Sequence, residues 1–334
     1  MFARDLAAQL GSLGWETEVV AVGGHRTPTG IDVPVLGRRR LSATAVARLG
    51  SRMRARAAVT VAHGSSALPA CALASLGGGG FVYRNIGDPA YWLSTRRRRL
   101  RVRRYLSRAR HVVALWTGAA DLFVRELGVP SERISVIPNG IDVGRFPETS
   151  PQHRRRARAA LGLPQSSGVV CHVGAFGAEK NIDAVMGAVR ELPDVWLVLA
   201  GEGPEEGRLR ELAGPFADRV VWLGAVDDVA HVLQAADVIA LASSSEGMPG
   251  ALIEAGLTGL PAVATDVGAV AEVVVDGRTG HLVPPDDVGA LREGIVACLE
   301  TAHPMGEAAR LHCSESFDIR AVAVMWDGVL RRQL

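Results

Sequence analysis

Residues 238–265 read VIALASSSEGMPGALIEAGLTGLPAVAT and change from a strand pattern to a helix pattern and back again. The run 238–242 is short and continuously apolar, which is typical of a strand buried on both faces of a sheet. Pro249 suits the first turn of a helix, and a second apolar run follows at 261–265. This order predicts two parallel strands joined by a helix, the repeating unit of α/β proteins.

The same alternation extends through most of the chain. Further predicted strands are 17–22, 58–63, 81–84, 111–115, 134–137, 169–174, 195–201, 220–224 and 262–265. Segments such as 117–127 and 286–300 have helical spacing. The sequence therefore predicts an α/β fold with parallel sheets that bind ligands at the carboxyl ends of their strands. The proline- and glycine-bearing segment 138–163 is the predicted linker between two halves.

Length and composition favour a globular protein of two domains. The chain has 334 residues, of which 48% are hydrophobic, and no run of about 18 apolar residues predicts a membrane span. Residues 1–15 have the pattern of an amphipathic helix and not of a signal peptide. The cysteines lack the spacing of a metal site, which favours structural thiols and a cytoplasmic location; they are Cys71, Cys171, Cys298 and Cys313.

Charge divides the chain into a basic and an acidic part. Residues 1–150 hold 22 basic and 10 acidic side chains, a net charge of +12, whereas residues 151–334 have a net charge of −10. The basic segment 96–104 suggests a solvated helix face, a peripheral contact with anionic lipid, or a site for an acidic acceptor. Nucleic acid is not favoured, because no stacking aromatic motif accompanies the arginines. A partly apolar face is predicted from Leu93, Leu100, Val102, Tyr105 and Leu106.

Two glutamates flank the predicted helix start. Glu246 lies in the loop after the strand 238–242, and Glu254 lies one turn into the helix. Backbone N–H groups of Met248, Gly250 and Ala251 at the predicted helix start suit an anion such as a diphosphate. The spacing alone is common by chance and favours two acids that merely stabilise the helix dipole, so the flanking residues decide.

Those flanking residues resemble the retaining family 4 glycosyltransferases. The family pattern of Glu-Gly-x-Pro-x4-Glu-Ala matches 246–255, and blocks at 259–268 and 277–286 match two further family patterns. Upstream matches lie at 136–142, 173–180 and 199–204, so the resemblance covers about residues 1–330. It implies a GT-B fold, in which two Rossmann-like domains face each other across a cleft.

The resemblance also implies a division of labour between the domains. Residues 1–145, with a returning helix at 318–332, would bind the acceptor, and residues 146–317 would bind the nucleotide sugar. The first predicted strand, 17–22, follows a helix, whereas a complete Rossmann-like half begins with a strand and a glycine-rich turn. The first domain is therefore expected to lack its opening strand.

Individual roles follow from the resemblance. Glu254 would hold the ribose, Glu246 the donor sugar, and Lys180, the only lysine, the departing diphosphate. His63 is the candidate catalytic residue of the first domain, with Asn85 or Asp88 as alternatives. The further donor-binding residues would be Gly174, Met248, Pro249, Gly250, Ala251, Gly224 and Val226.

The implied reaction retains anomeric configuration and needs neither a metal nor another cofactor. A nucleotide diphosphate sugar is the co-substrate, and a sugar, lipid-linked or small molecule is the acceptor. The aspartate pairs at 227–228 and 286–287 are interpreted as helix caps. An epimerase or a phosphorylase of the same fold is disfavoured by the block around Glu246.

One departure from the family supports an alternative. Ala175 stands where the family has an arginine that acts on phosphate together with the lysine. With the missing opening strand, this suggests a non-catalytic or partner-dependent scaffold that binds nucleotide sugar weakly or not at all.

Overall fold

The computed structural model describes residues 2–23, 33–39, 41–55 and 58–334. The chain divides into two compact units. Unit 1 comprises Met1–Gly140 with Ile319–Leu334, and unit 2 comprises Ile141–Asp318.

Unit 1 is built on a parallel sheet. Its strands in the described residues are β1 (Thr60–His63), β2 (Phe81–Arg84), β3 (Ala109–Ala114) and β4 (Ile134–Val136), in the order β1-β2-β3-β4. Its helices up to the boundary are α1 (Phe2–Ser12), α2 (Ala43–Met53), α3 (Leu68–Ala74), α4 (Pro89–Trp92), α5 (Arg96–Leu106) and α6 (Thr117–Leu127). Each strand pairs with the next one in sequence, so the order of these strands does not reverse.

Unit 2 has a larger parallel sheet with a different order. Its strands are β5 (Gly168–Val173), β6 (Val195–Ala200), β7 (Val220–Gly224), β8 (Val238–Leu241), β9 (Ala262–Thr265) and β10 (Gly280–Val283). Its helices are α7 (Pro151–Ala160), α8 (Ile182–Arg190), α9 (Glu206–Ala213), α10 (Val229–Ala235), α11 (Gly250–Leu257), α12 (Val270–Val273), α13 (Val288–Glu300) and α14 (Ala302–Ser316). The order β10-β9-β8-β5-β6-β7 reverses between β5 and β8. The fold is thus α/β with two parallel sheets, as predicted.

The last helix, α15 (Ile319–Arg331), belongs to unit 1. Its apolar face packs with α1 and the sheet, and Trp326 is fully buried there beside Leu6 and Val82. The predicted returning helix 318–332 corresponds to α15, with each end shifted by one residue. Burial of this large aromatic ring, which removes much apolar surface from water, stabilises the contact between the two ends of unit 1.

The predicted strand 17–22 is wrong. Within 17–22, all of which the structure describes, the one β-bridge is that of Ala21 to Val35. Its N–H donates to Pro34 O at 2.9 Å and its carbonyl accepts from Leu36 N at 2.9 Å. A strand needs a row of such backbone partners, and an apolar pattern does not supply them.

Other differences concern short elements. The predicted linker 138–163 contains α7, which Ser150 caps by accepting a hydrogen bond from His153 N at 3.1 Å. The strand β10 was not predicted, because its run of four residues includes a histidine and gives little pattern. The remaining predicted strands are present with ends shifted by at most two residues.

Two further features are the state of the cysteines and the character of the helices. All four cysteines are buried free thiols. Within the described ranges, the structure contains no helix with both the length and the apolar character required to cross a bilayer.

Candidate functional site

The reversal of strand order in unit 2 creates a crevice at the carboxyl edge of its sheet. The connections that follow β5 and β8 lead to opposite ends of the sheet, and parallel sheets bind ligands at such a switch point. The loops after these two strands are joined by a backbone hydrogen bond, because Ser244 N donates to Glu179 O at 2.8 Å. Residues after β5 and after β8 thus converge on one place.

Lys180 and Glu246 meet at this point. The Nζ atom of Lys180 lies 2.6 Å from Oε1 of Glu246, and Ser243 Oγ donates to the same oxygen at 2.7 Å. Glu246 is buried and Lys180 is partly exposed. Charge-assisted bonds of this length are strong, and removing either charge would leave the other uncompensated in a poorly solvated place.

The loop that carries Glu246 is held from the neighbouring strand. Thr265 Oγ1, at the end of β9, donates to Ser243 O at 2.5 Å, and Ala269 N donates to Gly247 O at 3.0 Å. Gly268 has φ +59°, and a Cβ atom there would lie 1.7 Å from the carbonyl oxygen of Glu246. Only glycine permits this close approach, so the family-like glycine fixes the backbone position of Glu246.

Helix α11 begins beside the pair. No side chain caps its start at Pro249, which leaves first-turn N–H groups at Gly250 and Ala251 for an anion. Met248 and Pro249 are buried where the loop enters the helix. The structure thus places these four donor-site predictions at one helix start.

Glu254 is the fifth residue of α11 and is half-buried. Burial raises the pKa of its carboxyl group to about 7, and Arg145 partly opposes the shift. A carboxyl group that titrates near neutrality can accept or donate hydrogen bonds to a hydroxyl-bearing ligand.

Lys180 is oriented by a tight turn. Ala178–Lys180 form a 3₁₀ turn, and Asn181 has a left-handed conformation with φ +46° before α8 begins. The Asn181 side chain donates to Asp286 Oδ1 at 3.2 Å. These contacts place the lysine at the edge of the sheet, while Ala175 is exposed in the same loop.

Three glycines connect the ends of β5, β6 and β7. Gly174 N donates to Ala200 O at 3.0 Å, and Gly201 N donates to Gly224 O at 2.8 Å. Gly224 ends β7, two strands from β5, and Val226 follows in the next loop. The structure therefore places Gly174 beside Lys180 in the crevice loop and Gly224 and Val226 further along the same edge.

His172 is a residue that the sequence reasoning missed. It is fully buried in β5, and its Nδ1 atom lies 3.2 Å from Ala240 O of β8. Its Nε2 atom has no hydrogen-bond partner among the described residues. The available signal was one polar residue in the otherwise apolar run of β5.

His63 lies in unit 1, at the end of β1. Its ring lies between Phe2 and Trp326, with centroid distances of 6.3 and 6.4 Å. Burial lowers the pKa of His63 to about 3, with a further contribution from Arg84. The imidazole is therefore neutral near pH 7 and can take part in hydrogen bonding, but it does not contribute a cation.

The alternatives at the end of β2 have local roles. Asn85 is buried and its Nδ2 atom donates to Gly87 O at 2.9 Å, while Asp88 caps α4 by accepting from Ala90 N at 2.9 Å. In unit 2, Asp228 caps α10 and Asp287 caps α13, as interpreted from the sequence.

The basic segment forms helix α5. Thr95 caps its start, and its described arginines are exposed or half-exposed. Leu93 and Leu106 are buried, but Leu100 is 70% exposed and does not join the packed face. The predicted apolar face is thus correct except at Leu100.

Two family models match the chain. The model described as glycosyl transferases group 1 matches residues 167–301, and the model described as glycosyltransferase family 4 matches residues 1–145. Together they span most of both units.

Curated relatives include D-inositol 3-phosphate glycosyltransferases of Mycobacterium tuberculosis and Mycobacterium bovis. Each is 37% identical over 178 residues, which cover 50% of this chain and 36% of the relative. The match therefore spans little more than a third of the length of these relatives.

Solved structures show the same fold. HepE of Anabaena, in complex with UDP and glucose, has a TM-score of 0.80 at 23% identity and covers 90% of this chain and 86% of its own. Sucrose-phosphate synthase of Thermosynechococcus elongatus has a TM-score of 0.78 at 21% identity, covering 99% and 92%. Because both sequence identities are below 25%, the structural similarity shows only the fold, which is GT-B.

Proposed function

We propose that this chain, which belongs to the group 1 (family 4) glycosyltransferases, transfers a sugar from a nucleotide diphosphate sugar to an acceptor. The observation that carries the proposal is the Lys180–Glu246 pair at the point where the strand order of unit 2 reverses. In this pair, a cation that can bind phosphate is hydrogen-bonded to a carboxylate that can accept from hydroxyl groups.

Lys180 would stabilise the departing diphosphate. Its ammonium group has three N–H donors, so one can remain on Glu246 while the others reach phosphate oxygens. A cation already in place when negative charge develops on the leaving group lowers the barrier. The uncapped N–H groups at the start of α11 would add positive potential on the same diphosphate.

The glutamates would orient the donor. Glu246 has a second carboxylate oxygen besides Oε1, which can accept from a hydroxyl of the sugar. Glu254 would accept from the ribose hydroxyls, and Gly224 and Val226 would contact the base through backbone groups. Because Lys180 and α11 supply positive charge to the leaving group, we propose a reaction that needs no metal. We propose retention of anomeric configuration on the resemblance to the retaining family alone.

Unit 1 would bind the acceptor. Neutral His63 is the proposed residue of this unit near the reacting groups, as a hydrogen-bonding partner of a sugar, lipid-linked or small-molecule acceptor. The relatives named as D-inositol 3-phosphate glycosyltransferases make phosphorylated polyols a class to screen. Buried free cysteines suit a cytoplasmic location, and the exposed arginines of α5 suit peripheral contact with anionic lipid.

A second candidate is a scaffold that does not catalyse transfer. It is favoured by Ala175, because the charge of Lys180 is already matched by Glu246 and no arginine follows Gly174. This candidate predicts weak or no nucleotide binding.

The test is calorimetric titration of UDP, the nucleotide bound by the Anabaena neighbour. We expect Lys180→Ala to weaken UDP binding about 10-fold or more, because a direct charge-assisted contact is lost. The control is Arg155→Ala, an exposed cation on α7 of the same unit, which should leave the affinity unchanged. Equal loss in both variants, or no binding of UDP, GDP or ADP by the wild type, would contradict the proposal.

A further inference from the structure

The imidazole of His172 has a defined proton position. Its Nδ1 atom faces the carbonyl oxygen of Ala240 at 3.2 Å. A carbonyl only accepts hydrogen bonds, so the proton of the neutral ring lies on Nδ1. The lone pair is therefore on Nε2, which is buried and has no partner in the part of the chain that the structure describes. An unpaired buried polar atom is costly and suggests that a ligand supplies the missing partner.

Gly174 opens the way to this atom. A Cβ atom at Gly174 would have one neighbour within 4 Å, which is Nε2 of His172 at 3.6 Å. Gly174 itself is partly exposed and lies in the crevice loop that leads to Lys180. An atom that occupies this bare face of Gly174 would therefore be a direct neighbour of Nε2.

The crevice has too little positive charge for a diphosphate. Lys180 is matched by Glu246, and Ala175 adds no charge. A nucleoside diphosphate brings more than one negative charge, and the N–H groups of α11 supply only a fraction of a positive one. A further cation beside Gly174 would therefore strengthen the binding of a diphosphate.

We propose that His172 takes up a proton when the diphosphate binds and donates a hydrogen bond from Nε2 to a diphosphate oxygen. The proton comes from solvent and adds to Nε2, while the Nδ1–H group keeps donating to Ala240 O. On release of the diphosphate the Nε2 proton returns to solvent. This inference rests on the proposed function and extends it, because it supplies the second positive charge of the donor site.

The electrostatics of the ligand-free site agree with this exchange. Burial lowers the pKa of His172 to about 4, the bond to Ala240 opposes the shift, and Lys180 adds to it. The ring is therefore neutral near pH 7 until an anion raises its pKa. Charged groups on α11 and on the loops after β5, β6, β8 and β9 are Glu254, Glu179, Lys180, Glu202, Glu205, Glu246 and Asp266, and the loops after β7 and β10 carry Asp227, Asp228, Asp286 and Asp287.

The sign of the pH dependence follows. Because the bound state holds the extra proton, UDP affinity should fall as the pH rises from about 4 to the pKa of the bound state. The fall is at most about tenfold per pH unit relative to a variant without the imidazole. Titration of UDP itself and of Glu254 occurs in both proteins and cancels in the comparison.

The experiment is calorimetry of UDP binding in two buffers of different ionisation enthalpy at about pH 6.5. The apparent enthalpies give the protons taken up per UDP. On binding UDP, the wild type should bind as much as about one proton more than His172→Gln, because glutamine keeps a neutral donor but cannot titrate. The exposed control His153→Gln should behave like the wild type. Equal uptake in all three proteins would overturn the inference and leave the proposed function standing.

A second measurement uses the wild type alone. With ¹⁵N-labelled histidine, UDP should move the Nε2 resonance of His172 to the position of an imidazolium. An Nε2 resonance that stays that of a neutral ring in the UDP complex would overturn the inference, even if His172→Gln fails to fold. If the wild type binds GDP or ADP instead of UDP, the same two measurements are made with that nucleotide. No binding of UDP, GDP or ADP by the wild type would overturn the proposed function and this inference with it.

Discussion

The carboxyl edges of the two sheets differ although both sheets are parallel. In unit 2 the order reverses between β5 and β8, and Lys180 and Glu246 meet as a matched pair. In unit 1 the described strands follow one another in a single direction, and the edge holds buried Arg84, whose hydrogen-bond partner in the described residues is the neutral amide of Asn139. A parallel sheet alone therefore does not make a charged crevice, whereas a reversal brings opposite charges from separate loops together.

The largest expected effect is on turnover at the unit 2 edge. Glu246→Ala should lower kcat about 100-fold, because the donor sugar loses its orienting carboxylate and Lys180 its partner. UDP affinity should change much less. The measurement is initial rates with the nucleotide sugar that the wild type uses fastest.

Ser243→Ala serves as the control, since it removes one hydrogen bond to the same carboxylate and keeps the charge. Its effect on kcat should be about tenfold or smaller. A loss of UDP affinity as large as the loss of kcat in Glu246→Ala would assign the glutamate to nucleotide binding instead.

The next effect is on the free energy of unfolding, which should respond differently to loss of buried Arg84 and of partly exposed Lys180. Arg84→Met should leave the free energy of unfolding unchanged or raise it by about 1 kcal/mol, because a desolvated charge without a carboxylate partner is removed. Lys180→Met should lower it by about 2 kcal/mol, since Glu246 stays buried without its cation. Urea unfolding followed by circular dichroism measures both. Destabilisation of both variants to the same extent would remove the distinction between the edges.

The last effect is gradual and concerns the pH dependence of stability through Glu254. Its folded pKa of about 7 lies above the ordinary value of 4.5, so the folded state binds the proton more tightly. Stability from this group is complete below pH 4.5 and is lost as the pH rises through about 7, by at most about 3 kcal/mol. Glu254→Gln should abolish that loss, and the exposed control Glu293→Gln should keep it. Identical pH profiles of the three proteins would show that Glu254 titrates normally.

Much of the fold could be predicted because its signals are local. The strands 81–84, 220–224 and 262–265 were predicted with their observed ends, since each is an apolar run bounded by polar, glycine or proline residues. The strand 17–22 failed because pairing depends on a neighbour that the pattern does not specify.

The site was less predictable for a related reason. The resemblance gave roles to Lys180 and Glu246, and those roles stay predictions. Their 2.6 Å contact depends on the order of strands in space, which no local pattern encodes. His172 was missed because a histidine in an apolar strand has no distinguishing spacing, and only the structure shows its Nε2 atom behind Gly174.

The most direct test of the central claim is a crystal structure of the chain with UDP. The account predicts the diphosphate within hydrogen-bond distance of Lys180 Nζ and at the start of α11, with the ribose hydroxyls on Glu254. A diphosphate bound away from Lys180, or UDP held by unit 1 alone, would contradict the assignment of the donor site to the reversal point of unit 2.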